Sequence, residues 1–119
     1  MSIFEQTRFD DFVAAMAGTS LVDQWESHVA KVGGKVFLLL STDKGDRRIT
    51  FKCSEDNFEL LSTLDGVEQA PYFAKRKWVS VAESAELSAT EVEAYVNRSY
   101  ELVAAGLTRK ARQELGIGG

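Results

Sequence analysis

The sequence predicts an α+β fold, an antiparallel sheet with helices packed on one face, and three observations predict it. The hydrophobic spacing switches between helical and strand periods in the order helix, several strands, helix, strand, helix. A hairpin stands at the centre: apolar Val36-Phe37-Leu38-Leu39-Leu40, polar Ser41 to Asp46, then alternating Arg47 to Cys53. A capping box, Ser88-Ala89-Thr90-Glu91, opens a long amphipathic helix near the end. A lone hairpin is marginal in water, so the flanking segments must supply further strands and a covering layer of helix.

In chain order, Phe9, Phe12, Val13 and Met16 place a first helix over about Phe4 to Ala17, stopped at Gly18. From Leu21 the period becomes two, giving strands near Val22 to Ser27 and His28 to Val32 with a bend between them. Continuous alternation there puts Leu21, Asp23, Trp25, Ser27 and Val29 on one side and Val22, Gln24, Glu26, His28 and Ala30 on the other. Gly33-Gly34 turns the chain into the hairpin, whose return strand sets Ile49, Phe51 and Cys53 on an apolar face and Arg48, Thr50 and Lys52 on a basic, solvated one. Ser54 caps a second helix, with Glu55 and Asp56 in its first turn and Phe58, Leu60, Leu61 and Leu64 as its buried stripe. Pro71 confines residues Val67 to Phe73 to a loop with a short extended piece. Lys77 to Val81 form the last strand. Val92, Tyr95, Val96, Ser99, Leu102 and Val103 form the core stripe of the long helix, and Thr108 starts a short final one.

At 119 residues with 45% hydrophobic content, the chain reads as a single domain over 1–119 that needs no metal or disulfide staple. A net charge of −4 gives no whole-molecule attraction to nucleic acid or anionic membrane, so any such binding must come from a local patch. One cysteine, no apolar run near the length of a membrane span and acids near the N-terminus predict a cytoplasmic protein without membrane contact.

Residues for catalysis are few. His28 and Cys53 are the lone histidine and cysteine, so no His/Cys metal set can form. As a Cys–His pair they could act as nucleophile and base, but a buried thiol and an ordinary strand histidine explain them better. Glu5, Asp10 and Asp11 on the first helix read as a solvated face rather than a cation site. No catalytic residue, cofactor or metal is expected. The strongest anomaly is Lys75-Arg76-Lys77 flanked by Tyr72, Phe73 and Trp78, the mixture of cations and rings that nucleic-acid contact uses. Arg47, Arg48 and Lys52 on the hairpin and Arg109, Lys110 and Arg112 near the end could extend a basic surface; a solvated loop with its rings in the core is the plainer account.

The blocks KVGGKVFLLL, ITFKCSEDNFELL, APYFAKRKWVSV and SYELVAAGLTRKAR, in this order, resemble the MmcQ/YjbR family from about Phe9 to Leu115. Lys75, Arg76 and Trp78, with the Ser99-Tyr100 pair, are the most telling; Ala70 to Ala74 departs from the family's commoner histidine- and asparagine-bearing run. The resemblance implies a CyaY-like α+β fold and a DNA-binding role of double-wing type. The expectation is a DNA-binding protein without catalytic activity, using Arg48, Lys52, Tyr72, Lys75, Arg76, Lys77 and Trp78 in weak, electrostatic contact. The alternative is a module for a protein or a small anionic ligand. Self-association is left open.

Overall fold

The computed structural model describes residues 2–24, 27–43, 45–70 and 77–117. Helix α1 (Gln6–Ala14) leads into β1 (Thr19–Gln24) and β2 (Ser27–Val32); β3 (Lys35–Asp43) and β4 (Asp46–Lys52) form the central hairpin. Helix α2 (Glu55–Leu61), strands β5 (Val67–Gln69) and β6 (Trp78–Ala82), and helices α3 (Ala89–Ala105) and α4 (Arg109–Glu114) follow. The six strands form one antiparallel sheet in the order β1-β2-β3-β4-β6-β5. The α+β expectation holds, and the short extended piece after α2 is the edge strand β5.

Local chemistry accounts for the joints. Gly33 and Gly34 both have positive φ, 57° and 81°, between the register partners Val32 and Lys35, which is the two-residue turn that matches strand twist. Gly18, at φ 74°, also admits α4, since a Cβ there would lie 2.9 Å from the Leu115 Cβ. Ser54 Oγ accepts from the Asn57 N–H, the Ser88–Glu91 capping box forms in full, and Thr108 Oγ1 accepts from the Ala111 N–H.

The helices cover one face of the sheet. Phe9 and Val13 of α1, Leu61 of α2 and Val92, Val96 and Val103 of α3 pack on Ala30, Val32, Leu38, Ile49, Phe51, Val79 and Val81. The register of β3 slips where Ala30 faces Leu38 but Lys31 faces Val36, leaving Phe37 as the extra residue of a bulge. Phe37 and Leu38 therefore both join the core. Ser99, fully buried on α3, bridges the irregularity: its hydroxyl donates to the Phe37 carbonyl (2.7 Å) and accepts the Lys52 N–H (3.0 Å).

Three expectations change. Helix α1 is shorter than the spacing implied. Leu60 is 57% exposed rather than part of the α2 stripe, because Phe58 and Leu61 already face the core. The outward face of the sheet is not uniformly wet: Val29, Leu39, Ala70 and Trp78 form a second buried cluster there, with Val36 against it. The continuous apolar run of β3 is the signature of a strand buried on both sides.

Candidate functional site

An antiparallel register sorts charged residues by the end of the sheet at which they fall. One end gathers the start of β1, the Gly33-Gly34 turn, the end of β4 and the start of β6. Lys31, Lys35, Lys52 and Lys77 lie there. Lys35 Nζ donates to the Gly106 carbonyl at 3.3 Å, which brings the α3–α4 junction and Arg109 to the same end. None of these five cations pairs with a carboxylate among the described residues. The nearby acids Glu55 and Asp56 occupy the first turn of α2, where the helix dipole holds them.

Toward the opposite end the described arginines Arg47 and Arg8 are paired. Arg47 forms a two-point pair with Glu83 (2.9 and 2.6 Å), and Arg8 ties α1 to α3 through Glu93 (3.2 and 2.9 Å).

The predicted contact residues separate accordingly. Arg48 is 16% exposed: its Nε donates to Ser80 Oγ (2.8 Å), its Nη2 donates to the Ser80 carbonyl (3.2 Å) and Glu68 lies 3.7 Å away. That corrects its expected place on a solvated phosphate-binding face, because the β4–β6 pairing holds it flat along the strand next door. Lys52 keeps its outward position and is half-buried beside its register partner Trp78. Trp78 is 4% exposed and belongs to the outward apolar cluster, so its ring packs rather than presents itself. Lys77 adopts a left-handed backbone, φ 59°, its carbonyl accepts the Cys53 N–H at 2.8 Å, and its ammonium lies 5.0 Å from the centre of the Phe58 ring. Strand alternation thus sends Lys52 and Lys77 to opposite faces at one end. Tyr72, Lys75 and Arg76 lie outside the described residues.

Sequence spacing missed a cluster on the helical face. His28 Nε2 meets Asp10 Oδ1 and His28 Nδ1 meets Asp23 Oδ1, both at 2.6 Å. The separation of Asp23 and His28 expected from continuous alternation fails because a hairpin reverses parity: the two are register partners and share a face. Burial opposes charge on the ring, but the hydrogen bonds and negative charges of Asp23 and Asp10 prevail and raise the His28 pKa. With an aspartate on each nitrogen the imidazole is a fastener between α1 and the β1–β2 hairpin; the carboxylates lie on opposite sides of the ring and do not converge. No group of three or more potential ligands fit for a metal occurs among the described residues. Cys53 is buried, which pushes its thiol up to about 12, and His28 has its partners elsewhere.

A cleft of about 390 Å³ opens where α3 meets α4, with Tyr100, Glu101 and Arg112 among its walls.

A model of the YjbR family matches residues 14–102, which include all six strands, α2 and most of α3. The chain belongs to the YjbR family. Membership accords with the resemblance carried by the four blocks, although α4 lies beyond the matched stretch. The Escherichia coli O157:H7 protein YbdF, itself described as uncharacterised, is 30% identical over 92 residues, 76% of this chain and 75% of that one. The crystal structure of the Deinococcus radiodurans protein DR2400, a DUF419 domain, superposes with a TM-score of 0.83 at 20% identity, covering 95% of this chain and 88% of that one. A Pseudomonas syringae protein solved by structural genomics gives 0.66 at 20% identity, covering 82% and 97%. At such identity the likeness to these two structures is one of fold. Among the described residues no helix is long and apolar enough to cross a membrane.

Proposed function

We propose that this YjbR-family chain is a non-catalytic binding module that docks on the phosphate backbone of DNA with the basic end of its sheet. The observation that carries the reading is the division of cations: among the described residues Lys31, Lys35, Lys52, Lys77 and Arg109 have no carboxylate partner at one end, while Arg8, Arg47 and Arg48 are paired elsewhere. Lys75 and Arg76 directly precede Lys77 in the sequence. Unpaired cations on an acidic protein form a local field that selects a dense polyanion, and contacts to phosphates position a protein without reading sequence. A non-catalytic role is supported by the residues best suited to proton transfer or attack, since both His28 nitrogens are engaged and the Cys53 thiol is buried.

The test is fluorescence anisotropy of a labelled duplex titrated with the chain at several salt concentrations. Binding should weaken with a log-log slope of about −0.9 for each phosphate neutralised. Lys35→Glu with Lys52→Glu should abolish it, whereas Arg47→Gln at the far end should leave it unchanged. Absence of binding at low salt, or equal losses in both variants, overturns the proposal.

A further inference from the structure

The geometry points to a second copy of this chain as the partner of the free β1 edge, paired antiparallel about Leu21, an interface independent of the DNA-binding reading. The order β1-β2-β3-β4-β6-β5 leaves β1 and β5 as the two edges of the sheet. Strand β5 is blunted by its length of three residues and by exposed Glu68, which lies 3.7 Å from Arg48. Strand β1 has no such protection. Its six residues include no lysine, arginine or proline, and its register with β2 runs without a bulge. Leu21 and Val22 are 37% and 38% exposed there, and with Leu60 they are the exposed large hydrophobic residues among those described. Being consecutive, they put an apolar side chain on each face of one edge.

The first pair of β1 fixes the direction of its hydrogen bonds. The Gly33 N–H donates to the Gly18 carbonyl (3.1 Å), one step before the register pair Thr19 with Val32. Antiparallel pairs alternate between bonded and non-bonded, so Ser20, Val22 and Gln24 bond to β2. The N–H and C=O groups of Thr19, Leu21 and Asp23 therefore point out from the edge. A two-fold axis through Leu21 sets Leu21 opposite its own copy and Asp23 opposite Thr19, and all of these outward groups then pair. Charge favours the same register. Asp23 is the one charged residue of β1 and lies two positions from the axis, so its two copies stand about 14 Å apart at roughly 3.4 Å per residue, beyond the screening length of about 8 Å at physiological salt. An axis through Val22 would halve that separation and set Asp23 against Leu21. An unrelated strand would bond the same backbone; a second copy also matches Leu21 with leucine and keeps Asp23 from its like. The axis stands perpendicular to the sheet, so the helices of both copies share one face and the two basic ends point in opposite directions.

The experiment is sedimentation equilibrium of the full chain from about 10 µM to about 1 mM, a range suited to the small contact of two paired edges. The parent chain should follow a monomer–dimer equilibrium. Leu21→Lys sets two like charges opposite each other on the axis and should weaken the dimer by about tenfold or more. Leu60→Lys, which removes an exposed hydrophobic side chain from α2, should dimerise as the parent does. Circular dichroism melts would establish that each variant is folded. Leu21→Cys tests the register: the paired Cα atoms fall about 5.5 Å apart, within disulfide reach, so mild oxidation should link the dimer, whereas Asp23→Cys should stay unlinked. Cys53 is buried and does not compete. A monomer throughout the range, which would leave the edge to a strand of another protein, overturns the proposal. So does an unchanged dimer in Leu21→Lys, an equal loss in Leu60→Lys, or linkage of Asp23→Cys in place of Leu21→Cys. The DNA titration stands apart from these results, because Lys35 on β3 and Lys52 on β4 lie away from the β1 edge.

Discussion

The Ser99 hydroxyl donates to the Phe37 carbonyl at 2.7 Å and accepts the Lys52 N–H at 3.0 Å, so one side chain on α3 completes the backbone bonding of two strands. The Phe37 carbonyl lies at the β3 bulge, and the Lys52 amide lies on β4 one residue past the last β3–β4 register pair, Leu38 with Phe51. Ser99→Ala removes the partner of a buried carbonyl and of a part-buried amide and should cost about 1–3 kcal/mol, read as a lower urea midpoint with unchanged slope. The Lys52 amide should also exchange faster with solvent. A cost below about 0.5 kcal/mol would mean that water replaces the hydroxyl.

How much of this was legible beforehand depends on whether the cause is local. The capping box at Ser88 and Glu91, the Ser54 and Thr108 caps and the Gly33-Gly34 turn depend on residues within four of one another, and all were readable. Ser99 was readable as a core position of α3, but the bulge it serves depends on pairing between β2 and β3 and has no local signature. Continuous alternation separates Asp23 from His28, whereas the hairpin between them makes the two register partners on one face. Period two gives the face of Arg48 and so predicts solvent, whereas its partners Ser80 and Glu68 come from strands 20 or more residues away. Arg112 stood among basic residues near the end of the chain; that it enters a cleft depends on the packing of α4 against α3.

Arg48 and Lys52 lie on the same strand and should behave oppositely. Arg48→Ala should lower stability by roughly 1–2 kcal/mol, through the lost bonds to Ser80, and leave DNA affinity unchanged. Lys52→Ala should cost little stability but reduce the salt slope of duplex binding by about 0.9, one phosphate contact. Parallel denaturation and anisotropy measurements check the pair, and a loss of DNA affinity in Arg48→Ala would return that guanidinium to the contact surface.

Cys53 should be inert toward thiol reagents in the folded protein. Burial moves its thiol from 9.0 to about 12, which cuts the thiolate population near neutral pH by roughly a thousandfold. Ellman's reagent should therefore label the native chain at the rate of unfolding, and label the chain in guanidinium at once. Rapid native labelling would show that the end of β4 opens locally.

His28 should make stability fall as the solution becomes alkaline. Its pKa is raised in the fold despite burial, by hydrogen bonds and charge from Asp23 and Asp10, so folding favours the protonated ring. That contribution is complete below the unfolded value of about 6.5 and is lost as pH rises from there through the higher folded value. The loss should be on the order of 1 kcal/mol, because Asp23 is 84% exposed and its charge is screened. Urea midpoints measured from pH 5 to pH 9 should decline across this window in the parent chain and stay level in His28→Gln. Asp10→Asn should reduce the decline more than Asp23→Asn, since Asp10, at 38% exposure, is the better shielded partner. An equal decline in His28→Gln would assign the pH dependence to another group and reduce the Asp10–His28–Asp23 cluster to packing.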